Sequence, residues 1–302
     1  MADRILDIYN VKDYGAKGEV GRVGFAAAHD DTAAIQATIN DTFNTGIIFF
    51  PPGIYKITSP ILPPHMAPGS FVRRHRMLIF RGCGADIAAG KGSILQANMP
   101  EYIIYFPDYP TFVAPRSALA FEGLGFRNDT TVIPTSTEPP SSLNTPVGNG
   151  SGCVYSACCD YLSFLYCDFK INNGICIFLY GQNGRAASCS FKGGFGSGGG
   201  STDSIGTCNI ETTESCTYQN LGTGFICAAN NGLQIAKDLD FYRCGICMEI
   251  GNFPIDWWDT NIHSITPAGN APCKASYFGN IRMRSFSIYG MYIWGLGFSV
   301  LD

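Results

Sequence analysis

The sequence predicts an all-β chain, a solenoid of short stacked strands with one short α-helix ahead of it. Charged residues make up only 15% of the chain, against 36 glycines and 13% aromatics, a balance that suits many strands and tight turns better than helices. A stretch near the N-terminus reads as a single helix followed at once by β-structure. The middle of the chain then repeats itself with only strands and turns inside the repeat.

The helix is signalled by Asp30-Asp31-Thr32, where one side-chain oxygen can accept from the orphan amides of a first turn. Ala34, Ile35, Thr38 and Ile39 follow at helical spacing, which predicts a helix over roughly 31–43 with Gly46 as its stop. Ile47-Ile48-Phe49-Phe50 is too short and too β-branched for a second helix, and Pro51-Pro52-Gly53 closes it as a strand. Gly15, Gly18 and Gly53 read as turn glycines.

From Arg76 onward, short apolar segments alternate with glycines: Met77-Leu78-Ile79-Phe80, Ser93-Ile94-Leu95 and Tyr102-Ile103-Ile104-Tyr105-Phe106. Residues 130–152 and 193–207 are rich in turn formers and read as loop excursions. Between them, Tyr166-Cys167-Asp168-Phe169-Lys170 is echoed by Ser188-Cys189-Ser190-Phe191-Lys192, an offset of 22 residues. Looser echoes are Leu124-Gly125-Phe126 and Leu239-Asp240-Phe241. A period of about 20–25 residues built from strands alone is the signature of stacked β-coils. Residues 276–302 form aromatic-rich C-terminal strands, suited to packing on the body or on another subunit. The whole of 1–302 is expected to be one domain, with 1–57 as its N-terminal cap and first coil.

The formal charge of −4 leaves no basic footprint, so nucleic acid is not an expected partner. The opening residues lack the n-region and h-region of a secretory signal, and no apolar run is long enough to span a membrane. Thirteen cysteines include a single C-x-x-C, Cys244 and Cys247, with no second pair or nearby His to complete a zinc set. They read as free thiols in small apolar positions. No metal or cofactor is expected.

The run V-K-D-Y-G-A-K-G, then D-D-T-A-A-I-Q, then I-I-F-F-P-P-G-I-Y-K-I, spanning Val11 to Ile57, resembles the N-terminal signature of the pectate-lyase-like superfamily of right-handed parallel β-helices. Phage tailspike depolymerases share it. The resemblance implies a right-handed parallel β-helix with the helix as its N-terminal cap, and polysaccharide as the partner. It further implies a homotrimer, attached to a phage tail or baseplate, located on the virion or outside the cell. The implied activity is hydrolysis or β-elimination of a bacterial surface glycan. A noncatalytic receptor-binding spike and a bacterial secreted pectate-lyase-like enzyme stay open beside it.

Hydrolysis needs two carboxyl groups about 5–9.5 Å apart, a spacing that neighbouring parallel strands or positions i and i+2 can supply. The favoured cluster is Lys237, Asp238 and Asp240 with Asp256, Trp257, Trp258 and Asp259, and Glu249 between the two groups. Asp238, Asp240, Asp259 and Glu249 are its candidate catalytic acids. Trp257 and Trp258 offer a stacking platform, and Lys237 and Asp256 polar contacts to substrate. Arg282 and Arg284, alternating in I-R-M-R-S, are candidates to hold a sugar acid. Asp168 with Asp160 and Glu122 forms a second carboxyl group of candidates, and Glu211 and Glu214 border the glycine-rich loop. The Asn-Thr-Asp, Gly-His-Gly and Arg-Ile-Lys of polygalacturonase-like relatives do not occur, and none of His29, His65, His75 and His263 is flanked by glycines. Polygalacturonase chemistry is therefore disfavoured, and no dense acidic cluster suggests calcium.

Overall fold

A computed structural model describes residues 7–42, 45–62, 76–86, 89–106, 117–130, 152–156, 161–171, 175–180, 183–187, 190–192, 223–228, 233–242, 246–251, 276–284, 289–294 and 299–301, and the account below concerns these. They are mostly β, with few helices, and the strands pair almost entirely in parallel.

Three parallel ladders organise the strands. The first runs through Asp7–Asn10, Thr45–Phe49, Arg76–Arg81, Ser117–Glu122, Tyr161–Leu165 and Asn183–Ala187. The second runs through Gly53–Ile57, Lys91–Ala97, Leu124–Asn128, Asp168–Ile171 and Ser190–Lys192. The long strand Leu233–Tyr242 continues both, since its first half pairs with Asn183–Ala187 and its second with Ser190–Lys192. Ser276–Arg284 repeats this double pairing along Leu233–Tyr242. The third ladder joins Tyr102–Phe106, Gly152–Ser156, Ile175–Tyr180, Thr223–Ala228, Ile246–Gly251 and Tyr289–Trp294. The C-terminal strands thus extend the ladders of their own chain.

The interior is a set of stacked columns. In the first ladder Ile48, Phe80, Phe121 and Phe164 are register partners in turn, and the three phenylalanines stack at centroid distances of 4.8 and 5.2 Å. In the second, Tyr55, Leu95, Phe126 and Phe169 follow one another, all fully buried. Burial of one such ring supplies about 1.5–3 kcal/mol, and a parallel repeat lets each rung reuse the contact made by the last. Cys83, Cys153, Cys167 and Cys176 are free thiols. Cys153 and Cys176 sit side by side on neighbouring strands of the third ladder, fully buried, where burial pushes the Cys176 thiol well up. They fill small interior positions, as free cysteines commonly do.

One buried polar residue joins two ladders. Asn128, at the end of its second-ladder strand, donates through Nδ2 to the carbonyls of Met99, Glu101 and Gly152. Its Oδ1 accepts from the Met99 and Thr130 amides. A single side chain thereby satisfies backbone groups that a corner leaves orphaned.

The N-terminal helix spans Thr32–Asp41 and buries Thr32, Ala34, Ile35, Thr38 and Ile39. Its start divides the work of the two aspartates. Asp30 accepts from the Thr32 amide and hydroxyl and from Thr58 Oγ1, whereas Asp31 makes no side-chain cap. Asp31 is fully buried and accepts instead from the Lys17 and Gly18 amides and from His29 Nδ1, at 2.6, 3.0 and 3.0 Å. It ties the preceding loop to the helix start. The helix ends before Gly46, which lies in the next strand: a Cβ there would meet Thr42 Cγ2 at 2.7 Å and Tyr9 Cε2 at 3.0 Å.

The glycines of this region serve different ends. Gly15 and Gly18 have φ of 105° and 65°, the left-handed region that glycine enters at no steric cost. Gly53 is needed for space: a Cβ there would meet the Gly18 carbonyl oxygen at 2.7 Å. Residues 131–151 and 193–222, which hold most of both expected excursions, lie outside the described residues, as do Glu211 and Glu214. Among the described residues no helix is long and apolar enough to cross a membrane.

Candidate functional site

The echo of 22 residues is a true register. Asp168, Phe169 and Lys170 pair with Ser190, Phe191 and Lys192, and the looser echoes fall in line. Phe126 precedes Phe169, Phe241 follows Phe191, and Met283 follows Phe241. The other rungs are longer, because they contain the chain segments that separate the strands.

Successive residues of a strand point to opposite faces. With the Phe126 and Phe169 column inside, the positions flanking it belong to the outer side of the second ladder. One flanking column reads Ile94, Gly125, Asp168, Ser190, Asp240, Arg282, buried at Ile94, Gly125 and Asp168 and open to solvent at Arg282. The other reads Gln96, Arg127, Lys170, Lys192, Tyr242, Arg284. A column holding Asp168, Asp240 and Arg282 therefore runs beside one holding Arg127, Lys170, Lys192 and Arg284, two residues away along every strand.

Asp240 and Arg282 are direct register partners, so their Cα atoms are about 4.8 Å apart. Asp168 and Asp240 lie two strands apart with Ser190 between them, a separation of about 9.6 Å. Asp240 is half-buried, Arg282 exposed and Asp168 buried. Such a column offers two carboxyl groups for proton transfer and a guanidinium to hold an anionic or hydroxyl-rich ligand.

Neighbouring charges are committed elsewhere. Arg127 pairs with Asp129, which also accepts from Gln96 Nε2. Glu122 is the register partner of Arg81 and binds its guanidinium at 2.8 Å. Glu122 thus serves as half of an ion pair between adjacent strands of the first ladder.

The other candidates distribute as follows. Asp238 sits where Leu233–Tyr242 passes from the first ladder to the second, between Lys237, opposite Gly279, and Leu239, opposite Ile281. Arg284 lies opposite Tyr242. Glu249 belongs to the third ladder, between Ile226 and Tyr292, and so does not join the Asp240 column. For Lys237, Asp238, Glu249 and Arg284 the backbone register alone is described. Asp160, Asp256, Trp257, Trp258 and Asp259 lie outside the described residues. Among the described residues no group of three or more His, Cys, Asp and Glu is placed to hold a metal ion.

Two parts of this face escaped the sequence reading. Asp168 and Asp240 fell into separate clusters, although Cys167-Asp168-Phe169 and Leu239-Asp240-Phe241 carry the same pattern. The basic column of Lys170 and Lys192 was visible in D-F-K and S-F-K, but only register makes it a column.

Comparison with known proteins bears on this architecture. Residues 8–67 match the family model described as rhamnogalacturonase A/epimerase, pectate lyase-like. No curated protein matches the chain. Among solved structures, ORF18 of Geobacillus virus E2 is similar at 14% identity and a TM-score of 0.31, over 98% of this chain and 61% of that one. PfbA, a surface adhesin of Streptococcus pneumoniae, is similar at 13% identity and 0.36, over 91% and 57%. The A-module of the Azotobacter vinelandii mannuronan C-5 epimerase AlgE4 is similar at 8% identity and 0.22, over 98% and 100%. The chain spans about three-fifths of the length of the first two, and likenesses this loose carry no argument about function. The family match, with the parallel ladders that follow it, supports a pectate-lyase-like β-helix superfamily for this chain.

Proposed function

We propose that the chain is a right-handed parallel β-helix, one domain over 1–302, whose N-terminal end is covered by the helix Thr32–Asp41. Its outer second-ladder face binds a bacterial surface polysaccharide and cleaves it, in the manner of a phage tailspike depolymerase. The observation that carries this reading is the column in which Asp240 stands opposite Arg282 with Asp168 two strands away. The Cα separation of about 9.6 Å stands nearer the carboxyl spacing of about 6.5–9.5 Å at which one acid protonates the leaving oxygen and the other activates a water than the about 5–5.5 Å of a covalent mechanism. It therefore favours inverting hydrolysis over a covalent intermediate. Arg282 holds an anionic or hydroxyl group of the sugar, and the Lys237, Asp238 and Arg284 positions extend the contact surface along the same strands. Glu249, Asp256, Trp257, Trp258 and Asp259 remain candidates for further glycan contacts. The protein acts as a homotrimer on the virion or outside the cell, joined to a phage tail or baseplate.

A noncatalytic receptor-binding spike is the second reading, favoured by the burial of Asp168, which restricts its contact with substrate. Incubation with capsular and lipopolysaccharide preparations, followed by size-exclusion of the glycan, tests the two. Shortened chains support the depolymerase, and a bound but intact polysaccharide supports the spike. Polysaccharide that neither binds nor shortens removes both.

A further inference from the structure

Where the first ladder passes into the second, three of the strands share a left-handed residue. Glu122, Leu165, Ala187, Lys237 and Gly279 occupy one register at the end of the first ladder. The residues that follow them are Gly123, Tyr166, Ser188, Asp238 and Asn280. Gly123 has φ of 59°, Tyr166 of 55° and Asn280 of 50°. Glycine enters this left-handed region freely and asparagine tolerates it, but a bulky aromatic residue there is an outlier.

Burial does not explain why a tyrosine occupies that position. Tyr166 is 65% exposed, among the most exposed large apolar side chains of the described residues. A strained backbone that presents an exposed ring is a reason to look for a ligand. Its place in the chain supplies one: Asp168 is two residues further along, and Asp238, the equivalent register position two strands away, lies two residues before Asp240.

We infer that Tyr166 is a sugar-stacking residue, its ring receiving the C–H face of one hexopyranose of a polysaccharide at the edge of the Asp168–Asp240 column. The inference rests on the reading of the second-ladder face as the glycan-binding face. A pyranose offers a flat apolar face rimmed by hydroxyls, which suits an aromatic body with a polar tip. At this left-handed position the ring stands away from the core, 65% exposed.

The backbone conformation makes the test clean, because Tyr166→Gly removes the ring and relieves the backbone together. The full chain and its Tyr166→Gly, Tyr166→Phe and Arg282→Gln variants are titrated with a capsular polysaccharide that the parent binds, alongside thermal unfolding and light scattering. Tyr166→Gly is expected to unfold at or above the parent's temperature while its Kd weakens about tenfold. Tyr166→Phe is expected to stay within about twofold of the parent, since stacking does not need the hydroxyl. Unchanged affinity in Tyr166→Gly, with Arg282→Gln weakened, overturns this inference alone. A loss of affinity that accompanies a change in oligomeric mass makes the ring a subunit contact and also overturns it. A parent that binds no polysaccharide overturns the glycan-binding reading, and this inference with it.

Discussion

Asp240 faces Arg282 across one step of the second ladder, on the outer side of a column of phenylalanines. If that pair works on a glycan, its halves fail differently. Asp240→Asn is expected to lower the cleavage rate about 100-fold or more, the usual scale for a general acid or base, with polysaccharide affinity kept. Arg282→Gln is expected to weaken binding and raise KM with a smaller effect on kcat. Steady-state release of reducing ends, with a separate binding titration, separates the two.

The inner column is expected to carry much of the stability. Phe169 is fully buried, stacks on Phe126 at 5.1 Å and 6°, and meets Phe164 edge-on at 5.7 Å. Phe169→Ala should cost about 3–5 kcal/mol, and Phe169→Leu markedly less, because the cavity left behind is smaller. Urea unfolding of the two variants beside the parent measures the difference.

Gly53 gives a sharper test of close packing. A Cβ at this position would stand 2.7 Å from the Gly18 carbonyl oxygen and 3.2 Å from Gly18 Cα, and neither backbone atom has a rotamer to escape into. The Gly53→Ala substitution, harmless in most strands, is expected to cost about 1–3 kcal/mol here. A melting temperature equal to the parent's would mean that the loop around Gly18 moves aside.

Two groups near the N-terminus predict opposite pH behaviour. Burial pushes the Asp30 carboxyl up, but hydrogen bonds from Thr32 and Thr58 and the charge of Lys56 outweigh it and hold its pKa below the ordinary value. The stability it supplies is full above the ordinary carboxylate pKa and is lost as pH falls through the folded-state value. Asp30→Asn should therefore differ most from the parent at neutral pH and converge on it in acid. Tyr14 donates to Asp41 Oδ2, and that bond, with burial, raises its pKa from 10.0 to about 12. Its contribution is full below the ordinary tyrosine pKa and is lost as pH rises through about 12. Tyr14→Phe should be less stable than the parent at neutral pH and approach it in alkali. Denaturant midpoints across the pH range check both.

Much of the fold was legible because it repeats. The Phe126, Phe169, Phe191 and Phe241 column appears in the sequence as four short echoes, and the structure places all four in register. The helix was legible from its N-terminal acceptors and its spacing, and Asp30 does accept at its start, whereas Gly46, expected as its stop, lies in the next strand. Asp31 was not legible as a buried anchor, since its partners Lys17 and Gly18 come from an earlier loop. The site was read less completely. A linear scan grouped Asp238 and Asp240 with Asp259 by distance along the chain, whereas Asp240 meets Arg282 on the next strand. Separation in sequence counts everything between rungs, but register counts only the strands. Tyr166 escaped notice because nothing in Leu165-Tyr166-Cys167 announces a left-handed backbone.

The central claim, that the Asp168, Asp240 and Arg282 column is a hydrolytic glycan site, is tested most directly by following the anomeric configuration of the new reducing end by proton NMR. The spectrum would be recorded during cleavage of a capsular polysaccharide by the parent and by Asp240→Asn. The account predicts cleavage with inversion in the parent and none in Asp240→Asn. Retention of configuration, an unsaturated lyase product, or full activity in Asp240→Asn would contradict it.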